Sequence, residues 1–88
     1  MVSHVLDFSV NGSNSLESLD NHTQQRVFDK LKRLVQNIDN LTLIPLKGKF
    51  SGCYKLKVGD YRAIYEVDHN KKVVTVHKVG HRKEIYKH

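Results

Sequence analysis

The clearest hydrophobic pattern in the chain lies between Asn21 and Ile38. Six apolar residues recur there at the 3.6-residue period of an α-helix and share one stripe: Val27, Phe28, Leu31, Leu34, Val35 and Ile38. Asp20 or Asn21 can cap this segment, because either side chain can accept a hydrogen bond from an amide of the first turn. The pattern therefore predicts an amphipathic helix over 21–38 that packs its stripe on a core.

The chain before this helix is less regular. Residues 4–8 favour a short first strand, and the turn-forming residues 11–15 separate that strand from the helical sequence. Leu16 and Leu19 could belong to a short additional helix that closes onto the same core. We therefore expect a strand, a turn-rich segment and a short helix ahead of the main one.

Beyond Gly52 the spacing of apolar residues changes to the two-residue period of β-strands. Residues 54–58 and 61–67 both alternate between apolar and polar side chains. Only Gly59 and Asp60 separate these two runs. A two-residue loop with glycine in its first position predicts a tight type II′ hairpin.

A third strand completes the pattern. A Val-rich run over 73–79 predicts a strand that Gly80 ends, and residues 83–88 form a short helix or tail. The fold class is α+β, with an N-terminal strand and helices packed on a mostly antiparallel twisted sheet. We expect a single domain over 1–88, since a chain of 88 residues has room for one modest core.

The tight hairpin also predicts which side chains share a face. Lys57 falls opposite Arg62, and one face carries the apolar and aromatic residues: Tyr54, Leu56, Val58, Tyr61, Ala63 and Tyr65. These six residues should pack on the helix. The opposite face presents Lys55, Lys57 and Arg62, a group that we call the basic face.

The pairing of Lys57 with Arg62 costs stability, because like charges directly opposite each other repel. A bound phosphate would remove this repulsion. The alternatives are a solvated basic face screened by salt, or pairing with Glu66, which falls further along its strand, opposite Cys53. The pattern favours an anion site.

The end of the third strand offers further candidates. Gly80 permits an abrupt change of direction, which could aim His81 and Arg82 toward the basic face. Taken alone, this triplet is a weak signal, and a tyrosine near a terminus, such as Tyr86, most often packs. These residues indicate a functional site only in combination with the basic face.

Charge is distributed unevenly along the chain. Residues 1–43 carry four bases and five acids, whereas residues 44–88 carry eleven bases and four acids. A basic half favours a polyanionic partner, either nucleic acid or an acidic protein. From net charge alone, a merely soluble basic surface is as good an explanation.

Other composition signals limit the classes of function. The single cysteine, Cys53, excludes an internal disulfide and fits a reducing cytoplasm. No apolar run approaches the roughly 20 residues that a membrane span needs, and no signal peptide is recognisable, so no membrane partner is expected. The remaining histidines show no ligand-type clustering, so no metal site is expected: His4, His22, His69, His77 and His88.

Short motifs run in order through the second half of the chain. They are Leu-Lys-Gly at 46–48, Cys-Tyr-Lys-Leu-Lys-Val at 53–58, Gly-Asp-Tyr-Arg at 59–62, Ile-Tyr-Glu-Val at 64–67 and Val-Gly-His-Arg at 79–82, followed by Tyr86. Together they resemble the RelE family of bacterial and archaeal toxins, within the RelE/ParE superfamily of type II toxin–antitoxin systems. The resemblance implies the element order β-α-α-β-β-β. Residues 9–14 are richer in Gly, Ser and Asn than the first helix of that family, so this helix should be short or frayed.

The resemblance implies a ribosome-dependent endoribonuclease that inhibits translation by cleaving mRNA, through attack of a 2′-hydroxyl on the adjacent phosphate. Lys55 or Lys57 would act as base, Arg62 would hold the phosphate, and Arg82 would stabilise the leaving group. Tyr86 would stack on an extruded base. His81 is an additional acid–base candidate, and further RNA contacts are expected from four lysines: Lys47, Lys49, Lys78 and Lys83.

The resemblance also implies partners. A cognate antitoxin would cover the basic face, the ribosome and mRNA would be the targets, and operator DNA would be bound only through the antitoxin complex. No cofactor is implied, and the expected location is the cytoplasm. Three alternatives stay open: a ParE-like toxin that poisons gyrase, a non-catalytic RNA-binding module of the same fold, and an inactive member retained to bind a partner.

Overall fold

A computed structural model describes residues 4–86 and places them in a five-stranded sheet flanked by helices. The sheet order is β1-β5-β4-β3-β2, in which β1 runs parallel to β5 and the other neighbours are antiparallel. The elements are β1 Val5–Phe8, α1 Val10–Glu17, α2 Asn21–Gln36, β2 Ile44–Pro45, β3 Tyr54–Val58, β4 Tyr61–Asp68, β5 Val73–His81 and α3 Arg82–Ile85. The predicted α+β class and element order are confirmed, and the two-residue β2 is an addition.

The main helix supplies most of one wall of the core. Its stripe is buried as predicted, except that Phe28 stays 38% exposed at the edge of the stripe. Asp20 is the N-cap residue, with extended backbone angles. The helix ends at Gln36, two residues earlier than predicted, and Ile38 is buried instead in a 3-10 turn, Ile38–Asn40.

The hairpin has the predicted register. Lys57 faces Arg62, and Val58 faces Tyr61 across the two-residue turn. Gly59 has a φ of +58°, and Asp60 has no positive φ, which fits a type II′ turn. Apolar and aromatic residues of the helix-facing side join the core cluster or pack against it, so the basic face lies on the other side of the sheet.

The turn-rich segment is helical, which corrects the expectation that residues 11–15 separate the first strand from the helical sequence; the first helix is short, as predicted, at eight residues. Residues 11–15 lie inside α1, where the Ser9 hydroxyl accepts a hydrogen bond of 3.0 Å from the Gly12 amide. A Cβ built on Gly12 would lie 1.9 Å from the Val76 carbonyl oxygen. The glycine therefore serves close packing of α1 on β5 rather than a turn, and a local pattern could not distinguish the two.

Helix α1 also satisfies the edge of β5 that β1 leaves uncovered. The Ser9 amide donates to the Val76 carbonyl at 3.0 Å, and the Val79 amide donates to the Ser15 hydroxyl at 2.9 Å. Polar groups of an unpaired strand edge need partners. Ser9, the N-cap residue of α1, and Ser15 within α1 supply these partners where a neighbouring strand would otherwise be required.

The pairing of β4 with β5 contains a one-residue irregularity. Ile64 faces Lys78 and Tyr65 faces Val76, so His77 is an extra residue on β5. A bulge of this kind places two successive side chains on the same face. His77 and Lys78 therefore share the outer face, while Val76 stays in the core cluster.

Tyr65 gives the fold a predictable response to alkali. The residue is only 1% exposed, and burial raises the pKa of its phenol from 10.0 to about 12. Since the folded state holds the neutral phenol more tightly than the unfolded state does, its stabilisation is complete below pH 10.0 and is lost as the pH rises to about 12.

We therefore expect the free energy of unfolding of Tyr65→Phe to fall less steeply with pH in that window than that of the wild-type chain. A rise of this pKa from 10.0 to about 12 corresponds to roughly 3 kcal/mol at most. Denaturant unfolding measured across the alkaline range checks the prediction. Parallel losses of stability in both proteins would contradict it.

Candidate active site

The outer face of the sheet gathers the predicted cations in two neighbouring rows. Lys57, Arg62 and Gly80 face one another across β3, β4 and β5, and Lys55 shares the next row with Lys78. The Ile64 side chain between these two lysines is fully buried. The sequence prediction that three cations share one face is therefore matched by the strand register.

Arg62 is held by the hairpin turn. Its Nη1 atom donates to the Gly59 carbonyl at 2.9 Å and to the Tyr61 carbonyl at 2.8 Å. Both acceptors are neutral, so the guanidinium is oriented without its charge being cancelled. A fixed guanidinium of this kind suits the binding of a phosphate.

Arg82 is held by the same turn. Its amide donates to the Asp60 carbonyl at 2.8 Å, and its Nε atom lies 3.6 Å from the Asp60 carboxylate. Both side chains of this pair are more than half exposed, so the pair adds little stability. Its main effect is to orient the Arg82 side chain. The turn thus brings the two arginines of the prediction to one end of the sheet.

Asp60 and Arg26 are neighbours of this site that the sequence reasoning missed. Asp60 entered the prediction only as a turn residue, although a carboxylate two positions before a candidate arginine was a usable signal. Arg26 is exposed on α2, and a Cβ built on Gly59 would lie 2.9 Å from its Nη2 atom. The α2 arginine therefore reaches the hairpin turn as well.

Helix α3 lies over the outer face. Ile85 is 1% exposed, and the missing side chain of Gly80 leaves room for it, since a Cβ there would lie 3.4 Å from Ile85 Cδ1. The Lys78 ammonium donates to the Ile85 carbonyl at 3.3 Å. Tyr86 follows directly and remains 42% exposed, which leaves its ring available for contacts. Lys83 is exposed on the same helix.

His81 does not join the basic face, and the expectation that Gly80 aims it there is wrong. Strand β5 continues through His81, which faces Tyr61, and the two rings meet edge to face at 5.5 Å. Tyr61 packs against the core, on the side opposite Lys57. The His81 Nδ1 atom accepts from the Lys83 amide at 3.1 Å and so caps α3.

The remaining predicted RNA contacts lie around the segment between β2 and β3. Lys47 is exposed just before a 3-10 turn, Gly48–Phe50. The Lys49 and Lys78 ammonium groups lie 5.6 and 5.9 Å from the centroid of the Phe50 ring. Sequence reasoning did not single out Phe50.

Titratable groups near the basic face do not supply an alternative nucleophile or metal centre among residues 4–86. Burial raises the pKa of the Cys53 thiol, and the nearby Glu66 carboxylate raises it further, so the thiol stays protonated. Glu66 itself bonds to the His77 ring at 2.7 Å. No three His, Cys, Asp or Glu side chains of the described range form a group that could hold a metal ion.

A family model described as the ParE toxin of the type II toxin–antitoxin system parDE matches residues 7–86. The chain belongs to the RelE/ParE family of toxins. No curated protein sequence matches it. Within residues 4–86, none of this toxin's helices has the length and apolar character needed to cross a membrane.

Solved structures of RelE-type toxins are similar to this toxin. The RelBE2 toxin–antitoxin complex from Mycobacterium tuberculosis contains a chain with a TM-score of 0.80 and 22% identity, which covers 92% of this chain and 100% of that chain; at this identity it supports the fold alone. The isolated RelE toxin of E. coli has a TM-score of 0.74 and 29% identity, covering 94% and 90%. The intact E. coli RelBE toxin–antitoxin complex contains a chain with a TM-score of 0.66 and 26% identity, and the match covers 89% of this chain and 95% of that chain.

Proposed function

We propose that this toxin is a ribosome-dependent endoribonuclease that cleaves mRNA in the cytoplasm. The observation that carries the proposal is the hairpin turn, which holds Arg62 opposite Lys57 and also holds Arg82 through its backbone amide. Cations fixed in this way can stabilise the dianionic phosphorane formed when a 2′-oxygen attacks phosphorus.

Each cation has a defined part in this reaction. Lys55 or Lys57 accepts the proton of the 2′-hydroxyl, and Arg62 holds the non-bridging phosphate oxygens. The bond from phosphorus to the 5′-oxygen then breaks, leaving a 2′,3′-cyclic phosphate and a 5′-oxyanion, which becomes a 5′-hydroxyl by taking a proton from solvent water. Arg82 stabilises the departing 5′-oxygen. The exposed Tyr86 ring stacks on a base and orients the nucleotide.

The partners follow from the family and from charge. The antitoxin is a protein with an acidic or amphipathic segment that covers the basic face, as the similar structures of toxin–antitoxin complexes support. Operator DNA is bound through that complex. The ribosome and a translated message are the remaining partners of the free toxin.

Lys57→Ala should lower cleavage by about 10²-fold, because general base catalysis is worth at least that much and Lys55 remains in the next row. The same change should leave the free energy of unfolding unchanged or raise it, since it removes the repulsion from Arg62. Single-turnover cleavage of a ribosome-bound message and denaturant unfolding measure the two effects. Lys71→Ala, in the turn between β4 and β5, is the control and should change neither.

The second candidate is a gyrase poison, which the ParE description of the matching family model favours. Induced expression followed by mapping of RNA 5′-ends and of DNA breaks separates the two functions. Cuts confined to translated messages support the nuclease. DNA breaks with intact messages would overturn it in favour of the gyrase poison.

A further inference from the structure

A second concave site lies beside the basic face. It is a cleft of about 380 Å³ formed by three parts of the chain: the first turns of α1, the 3-10 turn before β3, and the bulge of β5. We call it the Phe50 cleft, and its lining residues are Asn11, Ser15, Lys49, Phe50, His77 and Lys78. The size falls within the range of sites that bind small ligands.

We propose that the Phe50 cleft binds a nucleobase of single-stranded RNA, next to the nucleotide that is cleaved. The proposal rests on the nuclease function and adds a recognition site to it. Aromatic rings flanked by cations are the usual way in which proteins hold unpaired bases, since the ring stacks and the cations meet the phosphates.

The charges around Phe50 support this ligand. Two ammonium groups, from Lys49 and Lys78, lie within 6 Å of the ring. None of the described residues that line the cleft is acidic. Two like charges around one ring favour an anion between them, which a nucleotide supplies together with its base.

The Phe50 cleft lies close enough to the basic face for one strand of RNA to contact both. Lys78 shares its row of the sheet with Lys55, and the next row holds Lys57 and Arg62. Rows two residues apart are separated by about 6.7 Å. A chain whose phosphate lies on Arg62 therefore needs to extend by only a short distance to place a neighbouring base on Phe50.

Polar groups at the rim can add selectivity. The Asn11 amide is exposed on the first turn of α1 and brings both a donor and an acceptor to the cleft. The Glu66 carboxylate holds the His77 ring at 2.7 Å, and the Ser15 hydroxyl is engaged by the Val79 amide. Of these groups, Asn11 is the one placed to contact the edge of a base.

The chain contains no tryptophan, so Phe50→Trp introduces a single fluorescent reporter. Titration with a short single-stranded oligoribonucleotide should quench this fluorescence to saturation, and an abasic oligomer of equal length should quench it far less. Phe28→Trp is the matched control: Phe28 is 38% exposed and also has a lysine ammonium near its ring, that of Lys32 at 5.7 Å, but it lies on α2. Equal quenching at both positions, or by the abasic oligomer, would overturn the proposal.

Cleavage and binding assays keep this proposal separate from the nuclease function. Phe50→Ala should weaken oligoribonucleotide binding roughly 5- to 150-fold, the range expected for one lost stacking contact. It should also shift the positions cut on a ribosome-bound message. If the wild-type toxin cuts messages and the Phe50→Ala variant binds RNA equally well and cuts at the same positions, the proposed base site in the cleft is wrong. The nuclease function would be unaffected by that result. Saturable quenching in F50W from a toxin that cuts no message would support the cleft and count against the nuclease.

Discussion

Replacing Arg82 with alanine is expected to lower the cleavage rate about 10³-fold, the low end of the effect of removing an arginine from a phosphoryl-transfer transition state. In the proposed reaction Arg82 stabilises the charge that develops on the 5′-oxygen, and the hydrogen bond from its backbone amide to Asp60 fixes the position of the residue. The backbone bond survives the substitution. Stability should therefore change by less than about 0.5 kcal/mol, as for other exposed positions.

A charge-matched series makes this test specific. Arg82→Lys keeps the charge but loses the planar fork, so it should recover only part of the rate. Arg33→Ala removes an exposed arginine from α2, away from the basic face, and should cleave normally. Single-turnover rates on a ribosome-bound message provide the measurement. Full activity in Arg82→Ala would count directly against the proposed nuclease.

The largest effect on stability is expected from Gly12→Ala. The added methyl group would lie 1.9 Å from the Val76 carbonyl oxygen, which is backbone and cannot rotate away. Helix α1 must then move off β5 and weaken the bonds from Ser9 and Ser15 to that strand. We expect a loss of about 3 kcal/mol or more, at the upper end of overpacking effects.

Equilibrium unfolding in denaturant measures this loss. Domains of this size have only about 5–15 kcal/mol of stability, so the midpoint should shift clearly. Asn14→Ala on the exposed side of α1 is the control, and its better helix propensity should leave stability equal or slightly higher. An unchanged midpoint in Gly12→Ala would mean that α1 does not pack closely on β5.

The parts of the fold that sequence predicted correctly are those that local chemistry decides. The 3.6-residue stripe specifies α2, and the two-residue loop at Gly59 specifies every pair of the hairpin. The sequence alone therefore places Lys57 and Arg62 opposite each other on one face. In both cases the deciding residues are close together in sequence.

The parts that sequence missed depend on distant neighbours. Gly12 looks like a turn residue until Val76 is known to lie against it, and the bulge at His77 has no local signature. His81 was directed to the wrong face because strand β5 runs one residue past Gly80. The contact of Asp60 with Arg82 joins residues 22 positions apart, and no spacing rule predicts it.

The bulge on β5 has a consequence for how this sheet tolerates deletions. Residues on either side of His77 already pair as they would in an uninterrupted ladder, with Val76 facing Tyr65 and Lys78 facing Ile64. Removal of His77 alone would therefore straighten the strand without exchanging a single cross-strand partner. Relatives one residue shorter at this point can keep the same arginines over the same hairpin while differing in local twist.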